Sequence, residues 1–356
     1  MPNRLPLHDR HIVAGARCVT VCDWDLPDDY GDAAAEYTGA RRGVALADRG
    51  HDGVLEVTGR DRATFLHALL SNEIKALAPG QGSAATLLDV HGKVQVVLFV
   101  WVLDDRILLV VPPGTARKVL AALDHYLFSE KVSLRDASEE TALFLLVGPE
   151  APSLVERLTG VRPPAPAWSN VGATLDGIAV RLVTGGGETG GLEAWVACGA
   201  THGPRVWDAL VAGGARPLGV TAYESLRIEA GTPLFGHDVD ESVLLSEIPL
   251  ERLVSHTKGC YPGQEVVVRI RDRGHVNRRL TGLVLEGDAA PPHGAEVVVD
   301  GTAVGRVTSA TRSLGLGRPI ALALVRREHA EPGRAVAVRL GAGTVSARVA
   351  ALPFAR

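Results

Sequence analysis

The residues best suited to chemistry are packed into one short stretch, Lys258-Gly259-Cys260-Tyr261-Pro262-Gly263-Gln264-Glu265. Two glycines and a proline predict a bent loop, and an ammonium group near a thiol favours the thiolate, the nucleophilic and metal-binding form. Physics alone leaves two readings open for Cys260: a reactive thiol, or a small buried hydrophobe. Downstream, Arg269, Arg271, Arg273, Arg278 and Arg279 form the densest positive run in the chain. On a strand, 269, 271 and 273 would share one face. That face is either a solvated surface balanced by Asp272 and nearby acids, or a dock for an anionic tail or partner. No metal site is expected. Cys18 and Cys22 are four apart, which suits neither a zinc knuckle nor a ferredoxin run, Cys198 lies in an alternating apolar strand, and the histidines form no metal-binding helix motif.

The elements that must position these groups follow a cadence from His51 onward. VLEVTG reads as a strand, DRATFLHALL as a helix, SAATLLDV and KVQVVLFVWVL as two strands, and ILLVVP as another after the hairpin turn Asp104-Asp105. Ala116 to Phe128 reads as a helix and ALFLLVG as a closing strand. A similar order recurs: a helix near Ala151 to Leu158, strands GIAVRLV and LEAWVAC, a helix from Pro204 to Ala212, and ARPLGV. Strand, helix, two strands, helix, strand is the ferredoxin-like rhythm, so two tandem units over about 51–220 are expected. The proline-rich loop Arg162 to Trp168 joins them. Beyond Leu280 short strands alternate with tight turns, Asp300-Gly301 and Gly341 to Gly343, predicting a small all-β barrel over 281–356. The fold class is therefore α+β, with 1–280 as one region and the barrel as the other. The first 50 residues, with one short helical candidate at Ala33 to Tyr37, read as a lead segment draped over the body.

Composition excludes several classes. The 356 residues are 46% hydrophobic, enough for more than one core. With 37 basic and 41 acidic side chains, the net charge of -4 gives no global drive toward nucleic acid or an anionic membrane. No apolar run reaches the roughly 20 residues that span a bilayer, and the amino terminus lacks a secretory core. Four scattered cysteines suit a reducing cytoplasm.

Taken together, Lys-Gly-Cys-Tyr-x-Gly-Gln-Glu resembles the signature of the YgfZ family of folate-binding proteins, associated with maintenance of iron-sulfur enzymes. Glu224 to Gly231 resembles the segment under the pterin in the wider T-protein superfamily, and Leu69 to Glu73 with Gly80-Gln81-Gly82 resembles its first domain. The resemblance covers about 50–356 and implies a cloverleaf body around a folate channel. It implies tetrahydrofolate or another reduced folate as ligand, with contacts from Glu193, Arg227, Tyr261, Gln264 and Glu265, and with Cys260 and Lys258 as the functional pair. Glu193, behind a glycine-rich turn, resembles the pterin-binding glutamate. Gly185-x-Gly187-x-x-Gly190 matches a dinucleotide fingerprint in form only, because a strand follows it and not a helix. One departure counts as much: where T-protein aminomethyltransferases place paired aspartates, this chain has Val96 and Val97. Asp89 and Glu73 are the nearby carboxylates in the first unit. The expected function is a folate-binding accessory protein for assembly or repair of iron-sulfur enzymes. The alternative is a folate-dependent one-carbon transferase, and a third reading is a module that binds protein or RNA through its arginines.

Overall fold

The computed structural model describes residues 1–249 and 251–355. The amino-terminal segment forms β1 (Asn3–Arg4), α1 (His8–Val13), β2 (Arg17–Val21), β3 (Trp24–Asp29), α2 (Ala33–Arg42) and β4 (Ala45–Asp48). The first three strands make a small sheet in the order β1-β3-β2. Asp32 caps α2, its carboxylate accepting from the Ala35 amide at 2.9 Å, and the helix runs well past the predicted Tyr37.

The first unit contains β5 (Gly53–Thr58), α3 (Arg62–Leu69), β6 (Gly82–Leu88), β7 (Val94–Val102), β8 (Arg106–Val111), α4 (Ala116–Asp124) and β9 (Ser133–Asp136). The second repeats the plan with β10 (Thr141–Val147), α5 (Ala151–Thr159), β11 (Asn170–Leu175), β12 (Ile178–Thr184), β13 (Glu193–Gly199), α6 (Gly203–Ala212) and β14 (Arg216–Pro217). Their sheets run β6-β7-β8-β5-β9 and β11-β12-β13-β10-β4-β14. The strand orders correspond one to one, except that β4 is inserted between β10 and β14.

Two expectations change here. Each unit has three strands between its helices where the ferredoxin-like rhythm has two, the third in the second unit being the mixed β11, and the short polar β9, which carries little apolar signal, closes the first unit, so that ALFLLVG opens the second. The amino-terminal segment is also not merely draped: Ala45 and Leu46 of β4 are fully buried, and Leu46 packs with Phe144, Leu182 and Val196 in the second core. The first core gathers Leu55, Leu66, Leu98 and Leu109.

After β14 come α7 (Val220–Glu229), then α8 (Gln264–Arg273), and last a closed six-stranded barrel of β15 (Arg278–Leu285), β16 (Glu296–Val299), β17 (Thr302–Arg312), β18 (Pro319–Arg326), β19 (Ala335–Leu340) and β20 (Gly343–Ala350). The β16-β17 turn has both Asp300 and Gly301 at positive φ, as a two-residue hairpin requires. Helix α7 ties the parts together through Glu229, which accepts from Tyr37 of α2 at 2.6 Å, Arg41 at 2.9 Å and Ser313 of the barrel at 2.6 Å. Burial pushes this carboxyl up, but the Ser313 and Tyr37 hydrogen bonds outweigh it and hold it below its ordinary range.

Arg269, Arg271 and Arg273 lie on α8 and not on a strand. At about 100° per residue only Arg269 and Arg273 share a face. Arg271 pairs with Asp272 at 2.6 Å and Arg278 with Glu247 at 2.9 Å, so the basic run is partly neutralised. Among the described residues no helix is long and apolar enough to cross a membrane.

Candidate functional site

Strand β7 alternates with period two: Val96, Leu98 and Val100 enter the first core, while Val97 and Phe99 point to the opposite face. That face borders an inner chamber of about 90 Å³. Its walls include Phe99, Trp195 of β13, Tyr223 of α7 and Phe235, with Arg49, Asp52 and Glu188 supplying polar groups. Arg49, Pro113, Tyr223, Leu234 and Phe235 are shared with an outer chamber of about 350 Å³, so the two lie side by side along one channel region. The β2-β3 hairpin, with Cys22 and Asp23, walls the outer chamber.

Glu188 is the most exceptional group in the inner chamber. It is only 8% exposed, and its Oε1 accepts a long contact from Arg252 at 3.4 Å while Oε2 has no partner. Burial, and then the neighbouring Glu193, push its carboxyl well above the ordinary range. Trp195 Nε1 and His51 Nδ1 are likewise buried without a partner. His51 lies in the outer chamber, and burial, with the Arg49 charge beside it, keeps it neutral. Unpaired buried polar atoms around a cavity are what a polar ligand would satisfy.

Glu193 is held from all sides. Its Oε1 accepts from the Thr189 amide and hydroxyl, both at 2.7 Å, and its Oε2 from the Gly187 amide at 2.9 Å. Glu193 thus shapes the Gly185 to Thr189 loop that presents Glu188. A Cβ on Gly185 would stand 2.3 Å from the Glu193 Cβ, which accounts for glycine there. As the sequence indicated, strand β13 follows this loop.

Arg227 lines the inner chamber, but its donors are already engaged. It is 1% exposed, and its five N–H groups meet five acceptors: two Glu224 oxygens, the Thr232 carbonyl, Asp238 at 2.8 Å and Ser309 at 2.7 Å. The folate contact expected of it has no free donor. Arg227 is the post that holds α7, the 232–238 turn and the barrel together.

The stretch 258–265 lies apart from the cavity. Neither chamber is lined by Lys258, Cys260, Tyr261, Gln264 or Glu265, so the expected grouping of these residues with Glu193 and Arg227 is not what the chain builds. Lys258 is buried, and its ammonium donates to the carbonyls of His67 and Leu70 at the end of α3, with Tyr261 under it at 5.0 Å. It is a cation capping a helix carboxyl end, which explains its place better than a role beside the thiol. Burial lowers its pKa to about 8. Cys260 is exposed, whereas Cys198 is buried and its thiol is pushed up to about 11 by burial. Gly263, at φ +78, begins α8 against the β6-β7 turn, where a Cβ would stand 2.4 Å from the Asp89 carbonyl. Asp89 itself caps that turn by accepting from the His91 and Lys93 amides, and Glu73 accepts from the Ala76 amide, so neither of these expected substitutes enters the chamber. The carboxylates that do are Asp52, paired with Arg49 at 2.8 Å, and Glu188.

The comparisons decide the family. Residues 7–258 match the GCVT N-terminal domain and 278–355 the glycine cleavage T-protein C-terminal barrel domain. The chain belongs to the glycine cleavage T-protein family. It is 34% identical to an aminomethyltransferase of Rubrobacter xylanophilus over 99% of this chain and 94% of that one, and 33% identical to one of Herpetosiphon aurantiacus over 98% and 97%. A putative chloroplastic transferase of Arabidopsis thaliana is 30% identical over 83% of this chain and 68% of its own length. The crystal structure of glycine cleavage system aminomethyltransferase T from Bartonella henselae superposes with a TM-score of 0.90 at 23% identity, covering 100% of this chain and 98% of that one, and so shares the fold. Within this T-protein framework, Val97 is the member of the valine pair that faces the channel.

Sequence reasoning missed Glu188, Trp195, Tyr223 and Phe99 as site residues. For Glu188 a signal existed: a lone acid inside the glycine-rich run Gly185 to Gly190. The aromatics come from three distant elements and carry no local pattern.

Proposed function

We propose that this protein binds a reduced folate in the central channel and serves folate-dependent one-carbon transfer by a route other than aminomethyl transfer through paired acids. The observation that carries the reading is the buried Glu188 carboxyl between aromatic walls, whose Oε2 is left without a donor. A pterin is flat, which suits Phe99, Trp195 and Tyr223, and its N–H edge suits a carboxylate acceptor. Relatives named aminomethyltransferase support folate as the ligand class. Val97 leaves the channel face of β7 without a carboxylate to stabilise charge on an aminomethyl donor. Calorimetric titration with tetrahydrofolate tests the binding, with affinity tighter than about 1 mM expected. In parallel, loaded carrier protein should yield no methylenetetrahydrofolate, and turnover near the roughly 10 per second of ordinary enzymes would overturn the assignment.

A second reading rests on Cys260, exposed on its bend next to α8. It gives the protein an accessory role toward iron-sulfur enzymes in the cytoplasm, the thiol facing a protein partner rather than the folate. Under it, Cys260→Ser keeps folate affinity but loses activity in a cell-based test of iron-sulfur enzyme function. Full activity of the serine variant would remove this reading.

A further inference from the structure

We propose that His8, Cys18 and Asp25 form a binding site for a borderline-soft divalent cation of the zinc type on the amino-terminal sheet. The His8 ring nitrogen, the Cys18 sulfur and an Asp25 oxygen lie within 4.8 Å of one another. His8 Nδ1 and Asp25 Oδ2 are 3.6 Å apart, close to the roughly 3.4 Å separating two ligands bound at about 2.0–2.1 Å in a tetrahedron. The sulfur, no farther than 4.8 Å from either partner, has to approach by at most about an ångström to reach its roughly 2.3 Å bond, a distance that side-chain rotation covers.

Three separate elements supply the trio, which is why spacing along the chain conceals it. In the β2-β3 ladder Cys18 pairs with Pro27 and Thr20 with Asp25, so Cys18 and Asp25 are diagonal neighbours on one sheet face. His8, at the start of α1, completes the set from outside the hairpin. All three are half-buried, leaving solvent a route to a fourth position. Arg4 lies opposite Asp25 across the β1-β3 pairing, and its charge and that of Asp28 also reach Cys18.

A nitrogen, sulfur and oxygen donor set selects zinc-like ions over magnesium and calcium, which take oxygen ligands. Binding replaces the Cys18 S–H bond with a metal–sulfur bond and releases that proton to solvent, while Asp25 and neutral His8 each donate a lone pair without further change. The consequence for the fold is local: the ion would fasten α1 to the hairpin that walls the outer chamber, so the amino-terminal segment would hold the channel more firmly when metal is present.

The test uses the full chain freed of metal with a chelator and titrated with Co2+, then with Zn2+ in competition. Wild type and Cys22→Ser should each bind one Co2+ and develop a sulfur-to-cobalt charge-transfer absorption that Zn2+ abolishes. Cys18→Ser should lose the absorption. His8→Ala should weaken Zn2+ binding by at least ~100-fold, since removing a mere outer partner of a ligand already costs up to about that much. Circular dichroism establishes that both variants are folded, and His8→Ala gives an arm independent of the thiol. No charge-transfer absorption in the wild type, the same absorption in Cys18→Ser, or unchanged Zn2+ affinity in His8→Ala would each overturn the proposal.

Discussion

The channel and the 258–265 loop are built on opposite principles. Around the channel, buried polar atoms are left unpaired at Glu188, Trp195 and His51, while the charged groups that hold its walls, Arg227 and Glu193, are fully engaged. In the loop, the one buried charge, Lys258, is spent on backbone carbonyls, and the thiol stands in solvent. The difference teaches that the most distinctive motif in a sequence can be a packing device, and that a ligand site announces itself through polar groups the fold has not satisfied.

The largest effect that sharpens this contrast is expected at Arg227. Removing one side of a buried pair leaves Asp238 and Glu224 uncompensated, so Arg227→Ala should cost about 3–5 kcal/mol in urea denaturation. A variant of unchanged stability that has lost folate affinity would make Arg227 a ligand-contacting residue after all.

Lys258 comes next. Lys258→Met keeps the apolar stem but strips two carbonyls at the end of α3 of their charged donor, with an expected loss of about 1.5–3 kcal/mol. Alkylation of Cys260 in that variant should proceed at the wild-type rate. A large fall in thiol reactivity with no loss of stability would restore the catalytic pair.

Glu188 should behave in the reverse manner, weakening binding without harming the fold. Glu188→Gln is expected to cost about 1.5–3 kcal/mol of tetrahydrofolate binding, the worth of a charge-assisted hydrogen bond, while apo stability stays the same or rises. The pH dependence has a definite sign. The free-state carboxyl is raised by burial and by Glu193, and pairing with ligand N–H groups lowers it again, so binding releases a proton. Affinity should therefore rise with pH until the free-state carboxyl titrates, and then level. Calorimetry in buffers of different ionisation enthalpy reads the proton directly, and proton uptake on binding would contradict the assignment.

Cys260→Ser should be the mildest change, within about 0.5 kcal/mol of wild type, as befits an exposed side chain. In the native protein Cys260 should be alkylated faster than Cys198, which is buried and whose thiol is pushed up to about 11. Equal rates would return Cys260 to the ordinary packed cysteines.

How much of the molecule is legible in its sequence depends on where the determining contacts lie. The Asp300-Gly301 turn is local, because two adjacent residues at positive φ set the hairpin, and the alternation in KVQVVLFVWVL already separates the core face from the channel face. β4 is not legible. Ala45-Leu46-Ala47 is short and low in β-branched residues, and becomes a strand because β10 and β14 pair with it on either side. The arginine segment misleads for the opposite reason. Val266, Val267, Val268 and Ile270 favour a strand, yet the docking of Gly263 on the Asp89 to Gly92 turn starts a helix there, a tertiary contact overriding local preference. Glu188 is legible only as a lone acid in a glycine-rich run, since its burial and its nearness to Glu193 arise in the folded chain.

The most direct test of the central claim is a crystal structure of the protein soaked with tetrahydrofolate. The account predicts the pterin in the inner chamber, against Phe99 and Trp195, with its N–H edge on the Glu188 carboxylate and its tail leading to the outer chamber. A pterin seated on the Lys258 to Glu265 loop, with the inner chamber unfilled, would contradict it.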